Sequence, residues 1–320
     1  MKTASLRVLT TSLRVLAASP RVLTASLMVL AASLTVLAQP AVELRTKFEQ
    51  QLAQIAAHVD GSVGYELVDL TSGDRFAHLE RQTFPTASSI KLAIVYELFK
   101  QSEEHRIRLD ETIVLDRSKA VGGSGVLVHL GTPTLSIRDY ATLMVTLSDN
   151  TATNVLIDRL GMPAVNSRME SLGLGATKLR RHMMDTAAAR RGDENVSTPH
   201  DLVELLKALS GGTTGHDGAA GGLPAAIDLL KLPKESRLRR GLPAVVPVAD
   251  KPGELEGVRV DAGIVFAKDR PYVFAVMTTF LKDEVEGEHA IEEMSRVAYD
   301  YFSRLGGGGT LGRRIPKPHE

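Results

Sequence analysis

Apolar residues follow a helical spacing near both ends and through the middle of the chain, whereas shorter stretches alternate between apolar and polar positions. Near the beginning, apolar side chains recur every three or four residues, at Leu44, Phe48, Leu52, Ile55 and Val59. This spacing predicts an amphipathic helix. Residues 63–68 and 75–80 then alternate on either side of a Thr-Ser-Gly-Asp turn at 71–74. The alternation predicts a hairpin of two antiparallel strands.

The middle of the chain is predicted to be helical, and its end to add further strands. Helical patterns begin at Ser88 and continue over 137–147, 151–160, 164–172, 199–209 and 223–230. Predicted strands at 245–249, 258–267 and 272–280 precede a last helix with one apolar stripe. We therefore predict an α/β fold of the α+β type. Its antiparallel sheet comes from both chain ends and is flanked by helices, and a cleft separates it from an all-helical part.

The first 38 residues form a seven-residue repeat without acidic residues. Ser-Leu-Arg-Val-Leu at 5–9 recurs at 12–16, and related sequences continue to residue 37. A basic start, an apolar run from Val22 and small residues before Gln39 predict an export signal, and hence a periplasmic or extracellular protein. An organellar transit peptide also fits the composition. Leucine spacing is compatible with a coiled coil, but Pro20 and the missing acidic partners argue against one.

At 320 residues the chain is long enough for one large domain or two, and its composition is that of a globular protein. Because the predicted sheet uses both ends of the chain, we assign one domain to residues 39–305, with a sheet part at 39–84 and 243–305, a helical part at 85–242, and a flexible tail at 306–320. Four of the 38 basic residues lie in the signal and none of the 38 acidic ones does, so the mature protein is slightly acidic. This charge argues against a nucleic-acid partner. No later stretch has the roughly 20 apolar residues of a membrane span, and we expect a monomer.

Ser88 and Lys91 are the first candidates for catalysis. They form the only Ser-x-x-Lys sequence in the chain, at a helix start where positions i and i+3 share one face. A serine hydroxyl attacks an acyl carbon when a nearby base takes its proton. A lysine in a dry pocket beside another cation can lose its charge and act as that base. Alone, however, the pattern more often describes a helix cap and a solvated lysine.

Two other short sequences, Ser148-Asp149-Asn150 and Lys251-Pro252-Gly253, change the interpretation of Ser88. Each alone is typical of an ordinary helix cap or a solvated turn. With the Ser-x-x-Lys sequence, they resemble the three motifs of class A β-lactamases and the wider family of penicillin-recognising serine enzymes. The separations, 60 residues from Ser88 to Ser148 and 103 from there to Lys251, are also similar to those of class A. The resemblance covers about residues 41–305 and includes 122–127 and 239–244.

The resemblance implies a catalytic role for three of these residues. Ser88 is expected to be acylated, and Lys91 to take or relay its proton. Ser148 is expected to pass a proton to the departing lactam nitrogen.

The resemblance also implies residues that bind the substrate. Asn150 is expected to bind its acylamide side chain, and Lys251 to hold the Ser148 hydroxyl and attract the substrate carboxylate. Gly253 and Glu254 follow Lys251 along the same strand. The backbone N–H groups of Glu254 and Ser88 are expected to form the oxyanion hole.

Pro252 departs from the family, which has a hydroxyl residue at this position. The proline lacks both the hydroxyl donor for the substrate carboxylate and a backbone N–H. Losing one hydrogen bond to a charged group would weaken penicillin recognition by about tenfold to a hundredfold. Glu254 would add repulsion, which Arg259 would offset. On an edge strand the proline is compatible with the fold.

A second departure concerns hydrolysis of the acyl enzyme. Class A enzymes activate the water with a glutamate on an Ω-shaped loop, in a Glu-x-x-Leu-Asn context that residues 180–195 lack. We predict Asp185 as the base, although a carboxylate paired with a neighbouring arginine explains this residue equally well. Without a base, the enzyme would become acylated and stall.

The sequence therefore predicts a serine hydrolase that opens β-lactam rings through an acyl-serine ester, without cofactor or metal. The nine scattered histidines lack the spacing of a zinc site, and there is no cysteine. The alternatives are a D-alanyl peptidase, an esterase-like hydrolase, or a penicillin sensor that is acylated and not turned over. The expected partner is a small-molecule β-lactam or D-alanyl peptide.

Overall fold

The computed structural model describes residues 41–211, 223–308 and 312–313. A five-stranded antiparallel sheet forms its centre. The strands are β1 (Ser62–Asp69), β2 (Arg75–His78), β7 (Val248–Leu255), β8 (Val258–Val265) and β9 (Tyr272–Thr279), and they lie in the order β2-β1-β9-β8-β7. Both chain ends thus contribute to one sheet, and the predicted fold class is confirmed.

Helices surround the sheet. The first covers 41–58 and is called α1. The others are α2 (Lys91–Glu103), α3 (Ile137–Thr146), α4 (Asn150–Leu160), α5 (Met162–Ser171), α6 (Thr186–Arg190), α7 (Pro199–Ser210), α8 (Pro224–Lys231), α9 (Arg237–Arg240) and α10 (Glu284–Gly306). Short 3₁₀ turns lie at η1 (Ala87–Ile90), η2 (Arg117–Lys119) and η3 (Leu127–His129).

Each face of the sheet packs against its own hydrophobic core. Along β9, Val273 and Ala275 belong to the core shared with α2 and α7, whereas Tyr272 and Phe274 belong to the core shared with α1 and α10. Successive side chains of a strand point to opposite faces, so a sheet covered on both sides needs apolar residues at nearly every position. This double coverage explains why β9 is buried along almost its whole length.

The last part of β7 differs from the sequence prediction, which ended this strand at residue 249. The ladder with β8 continues from Val248 opposite Val265 to Leu255 opposite Val258, and Pro252 pairs with Asp261 within it. Because β7 is an edge strand, one side of its backbone needs no sheet partner, and a proline is tolerated there. The third motif therefore lies within the strand, which continues past its predicted end.

Two small ladders were not predicted. Strand β3 (Phe84–Pro85) pairs with β6 (Val196–Ser197), and β4 (Thr112–Val114) pairs with β5 (Thr134–Ser136). Their strands have two or three residues each, too few to show the alternation of apolar and polar residues that predicts a strand. The first ladder matters for the site, because it joins the chain just before Ser88 to the end of the loop that precedes α7.

The predicted signal, residues 1–38, lies outside the described residues, as does most of the predicted tail. Within the described part, no helix has both the length and the apolar character needed to cross a membrane. The strands of the central sheet come from 62–78 and 248–279, and most of the helices lie between them in the chain. The proposed division into sheet and helical parts stays a prediction.

Candidate active site

Ser88 lies in the 3₁₀ turn η1, immediately before α2, and not in the α-helix itself. The preceding residue, Ala87, has a φ angle of +48°. This left-handed conformation costs a non-glycine residue on the order of 1–3 kcal/mol and tends to occur at functional sites. Ser88 is half-buried between buried neighbours and lines a cleft. The strained turn thus places the serine hydroxyl at the cleft.

Lys91 lies beneath Ser88, with no exposed surface. Its Nζ is 3.0 Å from Ser88 Oγ, 2.9 Å from Ser148 Oγ and 2.7 Å from the Ser148 carbonyl oxygen. Burial lowers the pKa of the Lys91 amine well below its usual value, and the charge of Lys251 lowers it further, against the opposing effect of Asp149. A neutral amine beside a hydroxyl is the arrangement that base catalysis requires.

Ser148 connects the two lysines. Its hydroxyl donates to Ser88 Oγ at 2.9 Å and accepts from Lys251 Nζ at 3.2 Å. The residue has a φ angle of +53°, because the chain turns sharply between α3 and α4. This second strained position lets the Ser148 hydroxyl and carbonyl group both face Lys91. A proton can therefore pass between Ser88, Lys91 and Ser148 over distances of 3.0 Å or less.

Lys251 closes the site from β7. Its side chain is 2% exposed, and Nζ also donates to the Pro252 carbonyl oxygen at 2.8 Å. Burial lowers the pKa of Lys251 to about 8, although Asp250 and Asp261 oppose the shift. Near neutral pH, Lys251 is therefore charged, and its charge favours loss of the proton from Lys91.

Gly253 brings the β7 backbone against the turn that carries Ser88. A Cβ atom at this position would lie 2.8 Å from Ser88 N and 2.8 Å from Thr86 O, closer than real Cβ contacts. Only glycine permits this approach. The predicted oxyanion hole requires it, since it is to be formed by N–H groups of Ser88 and Glu254. The roles of Gly253 and Glu254 in binding substrate stay predictions.

The second motif also shapes the rim of the cleft. Asp149 caps α4 through Ala152 N and accepts from the N–H groups of Val126 and Leu127. Gly125, with a φ angle of +102°, allows the loop to pass so close that a Cβ there would collide with the Asp149 carboxylate. The glycine-rich segment is thus a cleft rim bonded to the second motif.

Asn150 lies at the start of α4 and is 7% exposed. Its Nδ2 donates to the Gly122 carbonyl oxygen at 3.0 Å, and its Oδ1 accepts from Lys91 Nζ at 3.3 Å. The amide therefore links the cleft rim to Lys91. Its contact with the substrate acylamide group stays a prediction.

The cleft lies between the end of α3, the segment before α9, and β7, and has a volume of about 720 Å³. Ser88, Ser148 and Lys251 lie along it. Further charged residues line it: Lys234, Glu235, Arg237, Arg240 and Glu254. Since cations outnumber carboxylates along the cleft, it favours a substrate with some negative charge.

The loop between α5 and α7 is firmly attached to the site. Arg181 pairs with Glu194 at 2.7 Å across its two arms, and Asn195 Oδ1 accepts from the N–H groups of Arg180 and Arg181. The Asn195 carbonyl oxygen in turn accepts from Thr86 N at 2.9 Å, two residues before Ser88. The loop and the Ser88 turn therefore form one hydrogen-bonded unit.

Asp185, the predicted base, has a structural role within this loop. Its side chain is exposed, and Oδ1 accepts from Ala188 N at 2.9 Å as the cap of α6. It is not among the residues that line the cleft with Ser88. Helix capping thus accounts for the carboxylate, and a catalytic role for Asp185 stays a prediction.

Met183 is the loop residue whose backbone is hydrogen-bonded to the Asn154 side chain of α4. The Asn154 side chain accepts from Met183 N at 2.8 Å and donates to its carbonyl oxygen at 3.1 Å. The Met183 side chain is buried, at 7% exposure. Here the loop contributes a methionine to the interior and no carboxylate.

Among the residues that the structure describes, one group of possible metal ligands occurs, and it lies outside the cleft. Ligand atoms of Glu66, His200 and Glu204 lie within 4.8 Å of one another. Arg75 already pairs with both carboxylates, and Lys207 pairs with Glu204 at 2.9 Å. The cluster is therefore a charge-balanced ion-pair network, and we assign no metal to it.

Two residues important for the site were missed in the sequence. Asn154 follows Asn150 by four positions, so both lie on one face of α4, and this spacing was an available signal. Arg237 lies in the short helix α9, and no pattern in the sequence indicates that it lines the cleft.

Comparisons with known proteins agree with this geometry. Residues 47–302 match the sequence model of the Beta-lactamase enzyme family. The chain is 27% identical over 275 residues to an imipenem-hydrolyzing beta-lactamase from Enterobacter cloacae, an alignment that covers 81% of this chain and 90% of the relative.

Solved structures show the same similarity. The beta-lactamase from Sphaerobacter thermophilus DSM 20745 superposes with a TM-score of 0.70 at 30% identity, over 79% of this chain and 96% of that one. A point mutant of PBP-A, in an acyl-enzyme complex with penicillin G, superposes with a TM-score of 0.71 at 27% identity, over 81% and 97%. The resemblance to class A β-lactamases is confirmed. The chain belongs to the beta-lactamase enzyme family.

Proposed function

We propose that the protein is a serine hydrolase that opens β-lactam rings through an acyl ester on Ser88. The observation that carries this proposal is the meeting of four side chains from three distant parts of the chain. Lys91 Nζ and Ser148 Oγ lie within 3.0 Å of Ser88 Oγ, and Lys251 joins them through Ser148. The E. cloacae relative and the penicillin G complex of the PBP-A mutant support β-lactams as the substrate class.

Acylation starts with the neutral amine of Lys91. It takes the Ser88 proton while Oγ attacks the lactam carbonyl carbon, and the carbonyl oxygen becomes an oxyanion. Backbone N–H groups of Ser88 and Glu254 are proposed to stabilise this oxyanion. Gly253 supports the assignment, since it brings β7 to within contact of Ser88 N.

Ring opening needs a proton on the lactam nitrogen. Ser148 is proposed to donate it, because its hydroxyl lies 2.9 Å from both Ser88 Oγ and Lys91 Nζ. The proton that Lys91 took from Ser88 then moves to Ser148. The carbon–nitrogen bond breaks, the acyl group stays on Ser88, and Lys91 is neutral again.

Deacylation needs a base that takes a proton from water. Lys91 is the proposed base, since it is neutral again and lies 3.0 Å from the oxygen that becomes the ester oxygen. Asp185 stays the carboxylate candidate, but it would have to leave its cap on α6. Because Met183 brings no carboxylate, we expect deacylation to be slower than acylation.

A second candidate function is favoured by Met183, which leaves the loop without a carboxylate at this position, and by Pro252, which weakens the recognition of penicillins. An enzyme that acylates readily and deacylates slowly behaves as a penicillin-binding D-alanyl peptidase or as a sensor that is not turned over. An esterase-like hydrolase would use the same Ser88 chemistry on carboxylic esters.

One experiment separates these functions. The protein is incubated with benzylpenicillin while intact mass and substrate loss are followed together. Fast substrate loss without an adduct supports the β-lactamase, and a lasting adduct supports the sensor or peptidase. Ser88→Ala must abolish both signals, and an adduct that survives this change contradicts the proposed nucleophile. Neither loss nor adduct in the wild type leaves the esterase-like hydrolase.

We also propose that the protein acts outside the cytoplasm after removal of residues 1–38. The basic, acid-free start and the apolar run from Val22 support export. N-terminal sequencing of the mature protein tests the proposal, and a first residue at Gln39 is expected. An uncleaved chain would contradict it.

A further inference from the structure

Arg237 is the most enclosed of the arginines along the cleft, with 13% of its side chain exposed. Its Nη2 donates to Glu254 Oε2 at 2.6 Å and to Glu288 Oε1 at 2.8 Å. The buried Nε has no hydrogen-bond partner within the described part of the chain. The Arg237 guanidinium can therefore donate further hydrogen bonds besides those to Glu254 and Glu288.

Glu288 is the less exposed of the two carboxylates that contact this arginine. Arg259 Nε bonds the same Oε1 atom at 2.8 Å, and the second oxygen lies 3.8 Å from Arg240. Burial raises the pKa of Glu288, but the hydrogen bonds from Arg259 and Arg237 outweigh this effect and lower it. One carboxylate thus serves three guanidinium groups, and Arg237 still attracts a second anion.

Glu254 supplies that second anion at present. Its side chain is 58% exposed, and it follows Gly253, whose backbone lies against Ser88 N. Glu254, Lys251 and Ser88 all line one cleft. The Glu254 carboxylate therefore lies where a carboxylate of a bound substrate would meet Arg237.

We infer that Glu254 is a specificity-determining residue that competes with a substrate carboxylate for Arg237. This inference rests on the proposed function and adds the substrate class to it. A substrate with a carboxylate next to the scissile amide must displace Glu254 and is repelled by it. An acyl substrate that is uncharged at this position meets neither obstacle. The cleft therefore favours uncharged acyl substrates, although cations outnumber carboxylates along it.

The test compares benzylpenicillin with its methyl ester, which differ only in this carboxylate. The rate of Ser88 acylation is measured by intact mass for the wild type and Glu254→Gln, so turnover is not needed. We expect Glu254→Gln to raise the acid-to-ester rate ratio about tenfold, the effect of losing one competing charged hydrogen bond.

Glu235→Gln is the matched control. Glu235 lines the same cleft but is 91% exposed, and its carboxylate lies 3.4 Å from Arg240 instead of contacting Arg237. This substitution removes the same charge, and we expect its acid-to-ester ratio to stay within about twofold of the wild type. An unchanged ratio in Glu254→Gln overturns the inference, and so does an equal increase in Glu235→Gln.

A binding measurement distinguishes failure of this inference from failure of the proposed function. Calorimetry on Ser88→Ala and Ser88→Ala/Glu254→Gln should show about tenfold tighter binding of the acid in the double variant, with little change for the ester. Equal binding of the acid, or none in either variant, overturns the competition. Acylation of wild-type Ser88 by the ester would still uphold the proposed function.

Discussion

The side-chain amide of Asn154 bonds both the N–H and the carbonyl group of Met183, at 2.8 and 3.1 Å. This pair fixes the backbone of the loop against α4, the helix that begins with Asn150. The loop thus has a defined position at which a side chain could be offered to the site. In this protein that position holds a buried methionine.

Met183→Glu is expected to shorten the lifetime of the Ser88 acyl adduct by about a hundredfold, within the usual effect of a general base. The fixed backbone would hold the new carboxylate beside the site, where it could activate water. Mass spectrometry after removal of free benzylpenicillin measures the lifetime. Met183→Gln is the control, since it has the same size and no base. Equal lifetimes in the two variants would show that this position does not reach the ester.

Pro252→Thr is expected to raise the rate of acylation by benzylpenicillin about tenfold, because it restores a hydroxyl donor and a backbone N–H beside Lys251. Pro252→Val is the matched control, since it restores the N–H and has the shape of threonine without the hydroxyl. Second-order acylation rates are compared. If valine gives the same gain, the backbone N–H is responsible and the hydroxyl is not.

The charge of Lys251 predicts a pH effect on recognition. Burial lowers its pKa to about 8, so Lys251 is charged below this pH and loses its charge above it. We expect the acylation rate with benzylpenicillin to fall relative to that with its methyl ester as the pH rises from about 7 to about 9. Parallel pH profiles for acid and ester would contradict a role for this charge in binding the carboxylate.

Asp261 predicts a pH effect on stability. Burial, followed by the nearby Asp250, raises its pKa to about 6. Near pH 5 the folded protein therefore keeps a proton that the unfolded chain has released. The contribution of Asp261 to the free energy of unfolding is fully present below about pH 4 and is lost as the pH rises through about 6.

Asp261→Asn tests this dependence. The amide keeps an acceptor for Ser236 and the N–H of Leu238 but does not ionise. Urea unfolding is measured at about pH 4 and about pH 7. Between these two pH values, the free energy of unfolding of the wild type should fall by on the order of 2–3 kcal/mol relative to that of the variant. The difference between the two proteins cancels the other titrating groups. A constant difference across this range would contradict the raised pKa.

Much of the fold could be predicted because the period of apolar residues was clear. The hairpin β1–β2, the helices α3 and α7 and the strand β9 lie within a few residues of their predicted bounds. The ladder of β3 with β6 was missed, since pairing between residues far apart in sequence leaves no local pattern. The end of β7 was missed because a Lys-Pro-Gly sequence favours a turn, and the partner strand β8 overrides this preference.

The meeting of the three motifs was predictable, whereas the residues around them were less so. Ser88, Lys91, Ser148 and Lys251 were identified by motif and spacing, and the structure brings them together. The pairing of Arg237 with Glu254 depends on where α9 packs against β7, which no local pattern encodes.

Pro252 also affects how the outermost strand of the sheet meets other polypeptides. An exposed edge offers free N–H and carbonyl groups, which can recruit a strand from a second molecule and start aggregation. A proline interrupts the row of donors, and the exposed carboxylate of Glu254, two residues further along β7, adds charge that a hydrophobic strand avoids. The residue that weakens recognition of penicillins would thus also protect the protein from edge-to-edge association at high concentration.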